Sequence, residues 1–561
     1  MDEADAGRRV IADFDVPARM RDGVTLRANV YRPEGGGPWP TLLARIPYGK
    51  DGPKGWLDPL QTAREGFMVV VQDSRGRSAS GGEWMLVHSE REDGYDTVEW
   101  AAQLPGSNGR VGMYDLSYFG VAQWMAAFEQ PPSLRAIAPA MSVKDPLEGG
   151  LVRGGALELG LIAAWTLALG GERLVRLPIA EQERGERMAL LLHDLDRLPT
   201  DGYWDLPVHD LAVLRRHGLG ELLAAQALED PDVVARCRVA GEYERVMVPS
   251  FNIGGWHDVL VQGVLDNYMA LAALGRPARL VVGPWTHATH ADPIGELRFG
   301  AHSARLGAPA HPHGDLGDEQ LAWFRPLLDP DAPSEAEESG APVRIFVMGR
   351  NKWRDEVAWP LARARQERWF LGAGGVLRTA VPDAKATPTE FTYDPADPVL
   401  TLGGQIFLTP AFPAGPRDQA RIETRSDVCV FTSEPLRKDL EVTGRVRVVL
   451  HAESSAPSTD WVARLCDVHP DGRSFNICDG ILRIEPGADR LQEIAIDLWS
   501  TSNVFLAGHR LRVHVTSSSF PRWDRNLNTG NQRESRMQSA RQRVHHDTDH
   551  TSFIELPVID A

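Results

Sequence analysis

A serine, an aspartate and a histidine stand in that order along this chain, each just past a strand-like run. In Gly112-Met113-Tyr114-Asp115-Leu116-Ser117-Tyr118-Phe119-Gly120 the lone Ser117 lies between residues 109–113, which read as a short buried strand, and residues 121–127, which read as a helix of small and apolar residues. A serine on so sharp a turn projects its hydroxyl from a sheet edge. The N–H of the next residue, Tyr118, then points where an oxyanion would form. Further on, the apolar run 248–253 enters the pair Gly254-Gly255 and delivers Asp258, and the run 278–282 enters Gly283-Pro284 and delivers His287. Nucleophile, orienting acid and general base are the groups that acyl transfer needs.

Each residue alone has a plainer reading. Ser117 could mark an ordinary strand-to-helix turn, Asp258 a helix N-cap ahead of Val259-Leu260-Val261, and His287 a loop histidine. The spacing also departs from G-x-S-x-G, because the glycine follows Ser117 by three residues and Asp115 holds the position where glycine is expected. Taken jointly the plain readings lose ground. The chain order Ser, Asp, His is that of α/β hydrolases, and open α/β sheets gather catalytic groups at strand ends.

Several ordered motifs carry a likeness to a known family. Ser117-Tyr118-Phe119-Gly120, Gly254-Gly255-Trp256-His257-Asp258 and Gly283-Pro284-Trp285-Thr286-His287 resemble the G-x-S-Y-x-G, G-G-W-x-D and G-P-W-x-H signatures of the cocaine esterase-like (CocE/NonD) hydrolases, in the Xaa-Pro dipeptidyl-peptidase superfamily. Arg45-Ile46-Pro47-Tyr48 is similar to that family's R-x-P-Y, and Gln72-Asp73-Ser74-Arg75-Gly76 to its Q-D-x-R-G. Residues 347–354, 393–398 and 518–530 look like further landmarks, so the likeness covers nearly the whole chain. It implies a catalytic Ser117, Asp258 and His287, and an oxyanion hole made by the Tyr118 N–H and the Tyr48 phenol. A phenol is a neutral donor at pH 7.

The elements that must position these residues follow from texture. Residues 1–144 alternate short strand-like runs with helices, as the first part of an α/β-hydrolase sheet does. Residues 145–245 lose the strands and read as a helical cap inserted over the site. Residues 246–325 return to the sheet, residues 326–341 are rich in proline and acid and read as a linker, and residues 342–561 show β-type alternation. Val442, Val446, Val448 and Leu450 are one such set. The expected fold is a doubly wound α/β hydrolase with an inserted helical cap and a C-terminal all-β sandwich, for which the resemblance implies a jelly roll.

Composition restricts the function classes. The 561 residues carry a formal charge of −17, with a pI near 5.5, which argues against nucleic acid or an anionic membrane as partner. Cys237, Cys429, Cys466 and Cys478 are widely spaced, with no zinc site or disulfide framework indicated. The acidic start lacks an apolar segment and no run reaches transmembrane length, so the expectation is a cytoplasmic enzyme without cofactor or metal. Its substrate would be a small-molecule ester or amide, and a homodimer is compatible with the sequence. The cluster His545-His546-Asp547-Thr548-Asp549-His550 reads as polar strand and loop residues, and residues 73–78 as a structural turn without the G-K-[ST] of a phosphate loop.

For the pocket the candidates are Trp165 on a cap helix, Trp256, and Ile406-Phe407, the last pair because the family's sandwich reaches its site. An aromatic in an apolar helix is otherwise core. A carboxylic-ester hydrolase with an apolar acyl pocket is the favoured reading. The alternatives are a Xaa-Pro dipeptidyl-peptidase, an amino-acid ester hydrolase or an amide-cleaving acylase, and, because Asp115 crowds the turn, an inactive binding protein.

Overall fold

Ten strands make the sheet that carries the site, seen in a computed structural model that describes residues 8–52, 55–220, 231–306, 315–332, 340–382, 385–485 and 490–560. In chain order they begin with β1 (Val10–Arg19), β2 (Thr25–Pro33), β3 (Trp39–Ile46), β4 (Met68–Asp73), β5 (Ser107–Leu116) and β6 (Leu134–Ala140). A small hairpin, β7 (Val152–Arg153) and β8 (Ala156–Leu157), stands apart. The sheet is completed by β9 (Ser250–His257), β10 (Ala278–Thr286), β11 (Val343–Val347) and β12 (Lys352–Glu356). The spatial order is β1-β2-β4-β3-β5-β6-β9-β10-β11-β12. From β4 to β11 neighbours run parallel, and the outer strands pair antiparallel.

Strands β4 and β9 are buried at every position, as a sheet covered on both faces requires, and β4 accordingly opens on the apolar run Met68-Val69-Val70-Val71. Helices α1 (Pro59–Arg64), α2 (Glu90–Ala102) and α3 (Tyr118–Phe128) connect strands of the first half. All eleven residues of α3 are buried, which explains why its sequence shows no polar face.

Between β6 and β9 the chain leaves the sheet and forms α4 (Leu159–Arg176), α5 (Glu181–Asp196) and shorter helices. Leu159, Ala163 and Leu167 repeat every fourth residue along α4 and enter a cluster with Tyr203, Leu214 and Phe520. Phe520 comes from the C-terminal part, so the helical block packs on it as well as on the sheet.

From Arg365 to Ile559, eleven strands surround a second core that includes Leu371, Phe391, Phe431, Trp461, Ile496, Val513 and Leu556. The set Val442, Val446, Val448 and Leu450 is wholly buried there. Two expected boundaries change. β11, which the sequence reading assigns to the C-terminal part beginning at 342, pairs in parallel with β10 and extends the first sheet, and β12 follows it. β11 is buried throughout, and its pattern fits a central strand of either sheet. Residues 326–328, assigned to the linker, end the helix Leu316–Leu328, whose last turn accommodates Pro326; residues 333–339 lie outside the described residues. Among the described residues no helix is long and apolar enough to cross a membrane.

Candidate active site

β5 ends at Leu116 and α3 starts at Tyr118, so Ser117 alone makes the turn. It does so at φ 63°, with Asp115 at φ 103°; both lie in the region L-residues avoid, a strain of about 1–3 kcal/mol each that surrounding contacts must hold. Ser117 N–H donates to Ala140 O at 2.9 Å, tying the turn to β6. A Cβ on Gly120 would meet Ser142 Cβ at 2.9 Å, so the glycine three residues after the serine lets α3 lie against β6. Asp115, placed where small glycine was expected, turns away from the histidine. Its Oδ1 accepts N–H bonds from Trp56 at 2.9 Å and Leu116 at 2.8 Å. Gly55 lies so close to the other carboxylate oxygen that any Cβ there would overlap it. Burial pushes the Asp115 carboxyl up to about 6.

The three groups at the strand ends meet. His287 Nε2 is 3.0 Å from Ser117 Oγ, and Nδ1 is 2.6 Å from Asp258 Oδ2. The other oxygen of Asp258 accepts the Leu260 N–H at 2.7 Å, so the carboxylate both caps the turn, as its plain reading has it, and orients the imidazole. His287 and Asp258 are buried, and the ring of Phe407 lies 4.8 Å from the imidazole centroid. The neighbouring His290 is half-buried against Trp56 and Trp285 and pushed down to about 4 by the surrounding protein, so it stays neutral beside the pair.

Tyr48 faces the same cavity and is held through its backbone. Lys50 N–H donates to Asp73 Oδ1 at 2.6 Å, and Arg77 Nε donates to Pro47 O at 2.7 Å, so the turn after β4 clamps both sides of Tyr48. Arg45 is wholly buried beneath, paired with Glu90 at 2.8 Å and bonded to Gln72 and Thr97. The Trp165 indole N–H donates to the Tyr48 oxygen at 3.0 Å, which leaves the phenol proton free for another acceptor. Surrounding protein pushes this phenol up to about 12. The Tyr118 phenol is turned away, donating to Leu86 O at 2.8 Å. Its N–H is the first of α3 and so one of the orphan donors of a helix start.

Two connected spaces adjoin Ser117. An inner cavity of about 120 Å³ is walled by Leu86, Val121, Leu151, Val259, Phe407 and other apolar groups, with no carboxylate among the described residues. An outer vestibule of about 780 Å³ runs between α4, the end of α5 and residues 407–411.

Residues 22–289 match the X-Pro dipeptidyl-peptidase (S15 family) model, and residues 335–555 match the X-Pro dipeptidyl-peptidase C-terminal non-catalytic domain. The chain is 35% identical to the cocaine esterase of Rhodococcus sp. (strain MB1 Bresler), over 99% of each chain. It belongs to the cocaine esterase-like serine hydrolases of the S15 family. As such it is a serine hydrolase that acts on esters. In fold it is similar to an alpha-amino acid ester hydrolase (23% identity, TM-score 0.81, 100% and 98% of the two chains covered). An aminopeptidase from a marine sediment Thaumarchaeota archaeon has the same fold (24% identity, TM-score 0.79, 99% and 97% covered).

This CocE/NonD chain corrects two pocket expectations. Trp256 is not in either space: it is fully buried, donates to Phe346 O at 2.7 Å and packs on Trp359. As part of β9 it joins the core that includes Trp285, Phe346 and Trp359. Ile406 is likewise core, whereas its neighbour Phe407 lines both spaces. Trp165 lines both spaces. Leu86, Val121, Leu151 and Cys237 were not foreseen. They come from separate elements and share no motif, so no local signal marked them.

Proposed function

We propose that Ser117, His287 and Asp258 form the working triad and that the ester cleaved carries an apolar acyl group about the size of a benzene ring. The observation that carries this is the inner cavity, whose described lining is apolar. A cavity of roughly this volume, about 150 Å³, lined by Leu, Ile and Phe binds benzene. The Rhodococcus relative is named for cocaine, whose hydrolysis fits that reading.

His287 Nε2 takes the Ser117 proton as Oγ attacks the acyl carbon, and Asp258 holds the Nδ1 proton and stabilises the imidazolium. The tetrahedral oxyanion is met by the Tyr118 N–H and the Tyr48 phenol, the latter aimed by Trp165. The carbonyl re-forms, the alkoxide leaves with the proton from His287, and water attacks the acyl-enzyme by the same route. The vestibule takes the alcohol. A substrate ammonium, as in an aminoacyl ester or an Xaa-Pro peptide, would find no described carboxylate in the inner cavity to pair with, which is why the peptidase and amino-acid ester readings rank second. A screen of p-nitrophenyl benzoate and phenylacetate against aminoacyl esters and Xaa-Pro anilides tests this. The apolar esters should give the highest kcat/KM; a higher value for an Xaa-Pro anilide overturns the assignment.

A further inference from the structure

Where the β-rich part meets the hydrolase sheet lies a separate cavity of about 150 Å³. Three potential metal ligands line it. Asp467 is the penultimate residue of the strand Thr459–Val468 and His469 follows at i+2, so both project from one face. His509 precedes the neighbouring strand Arg510–Thr516, which pairs antiparallel with the first, Val468 opposite Arg510. One ligand atom from each of the three lies within 4.8 Å of the other two. Asp467 Oδ1 is 2.8 Å from His509 Nδ1, Asp467 Oδ2 is 3.8 Å from His469 Nε2, and the two imidazole centroids are 4.4 Å apart.

The opposite wall of the cavity holds polar groups without partners. His257, at the end of β9, is completely buried and has no hydrogen bond to either ring nitrogen among the described residues. The amide nitrogen of Asn503, 3% exposed, is also unpaired. Both line the same space. Unpaired buried polar groups cost about 1–3 kcal/mol each, so two of them around one cavity indicate that something polar belongs there.

We propose that Asp467, His469 and His509 bind a divalent transition metal, zinc by preference, with a water in the fourth position facing His257 and Asn503. Two imidazoles and one carboxylate are a donor set that suits Zn²⁺ better than Ca²⁺ or Mg²⁺, which take oxygen ligands. Ligand bonds of about 2.0–2.2 Å need His469 to move in and the Asp467–His509 hydrogen bond to open around the ion. The water would give His257 and Asn503 their missing partners. Because His257 precedes Asp258, the metal would tie the β-rich part to the strand carrying the acid, and its effect would be on stability of the junction rather than on the chemical step.

The test uses the full chain, stripped with chelator and titrated with ZnCl₂ near neutral pH by calorimetry and thermal melting. Wild type should take up one Zn²⁺ per chain and melt higher with it. His469→Gln, His509→Gln and Asp467→Asn should each bind at least about tenfold more weakly, with ester turnover in chelator unchanged. His545→Gln/His550→Gln, at the other histidine cluster, should bind like wild type. Failure of wild type to bind one equivalent overturns the proposal, as does a His469→Gln/His509→Gln protein that binds as tightly as wild type. Should that double variant not fold, diethylpyrocarbonate labelling of wild type decides. Zn²⁺ should protect His469 and His509, and equal labelling with and without Zn²⁺ overturns the site.

Discussion

At the sheet edge, Asp258, His287 and Ser117 are linked in one chain of hydrogen bonds, and the two residues that flank Leu116 hold φ values that only their surroundings can maintain. One side chain deeper, the inner cavity offers apolar walls drawn from the loop before α2, from α3, from the helical block and from the β-rich part, with little to direct a ligand except shape. On the proposed reading the first region carries the reaction and the second the choice of substrate. Polar geometry is set by a few residues at fixed spacing, whereas an apolar wall can be assembled from any elements that reach it.

The largest effects should come from cutting the polar chain. Ser117→Ala and His287→Ala are expected to lower kcat for ester hydrolysis by about 10⁴–10⁶-fold with the melting temperature little changed, since either removes the activated nucleophile. A folded Ser117→Ala protein with wild-type turnover would reject the triad.

Tyr48→Phe tests the other half of the polar region. It removes one hydroxyl and little volume, so kcat should fall by roughly 10²–10³ while KM moves little, because the oxyanion exists only along the reaction path. Trp165→Phe keeps the wall and deletes the bond that aims the phenol, and a loss of about tenfold or less in kcat is expected. An effect confined to KM in either variant would place Tyr48 among the substrate contacts.

The apolar region breaks differently. Val121→Phe fills part of the inner cavity without touching a polar partner, so turnover of a benzoyl ester should drop by about 10–200-fold while an acetyl ester is nearly unaffected. Equal losses on both esters would mean that the acyl group does not enter there.

The same division explains what could be read before the structure. That Ser117, Asp258 and His287 come together was legible because each is delivered by a strand into a glycine-marked turn, a signal confined to a few residues. Tyr48 was legible only through the likeness of residues 45–48 to a family motif; the clamp by Asp73 and Arg77 joins segments that the sequence keeps apart. Trp256 and Ile406 failed because both side chains enter the core, Trp256 against Trp359, and nearness in sequence to Asp258 or Phe407 does not tell which way a side chain turns. The assignment of β11 failed for a related reason: a wholly buried strand has lost the alternation that would tell which sheet it joins.

The smallest effect on activity, and the sharpest test of the boundary between the two regions, belongs to Asp115. Its carboxylate serves the turn, holding the Trp56 and Leu116 N–H groups, and does not bond His287. Burial raises it from 3.8 to about 6, so the folded protein holds this proton more tightly than the unfolded chain does. The stabilisation linked to that proton is therefore fully present below about pH 4 and is lost as pH rises through about 6. At neutral pH the folded protein bears the cost of a buried charge, on the order of 2–3 kcal/mol for a shift of about two units. Asp115→Asn keeps the accepting oxygen and removes that charge. The variant should melt higher than wild type at pH 7–8, the gain should shrink to nothing below about pH 4, and kcat/KM should stay within about twofold with superimposable acidic limbs. A displaced limb would show that Asp115 is coupled to His287 after all. A melting temperature lowered at every pH would show that the Trp56 contact needs the charged form.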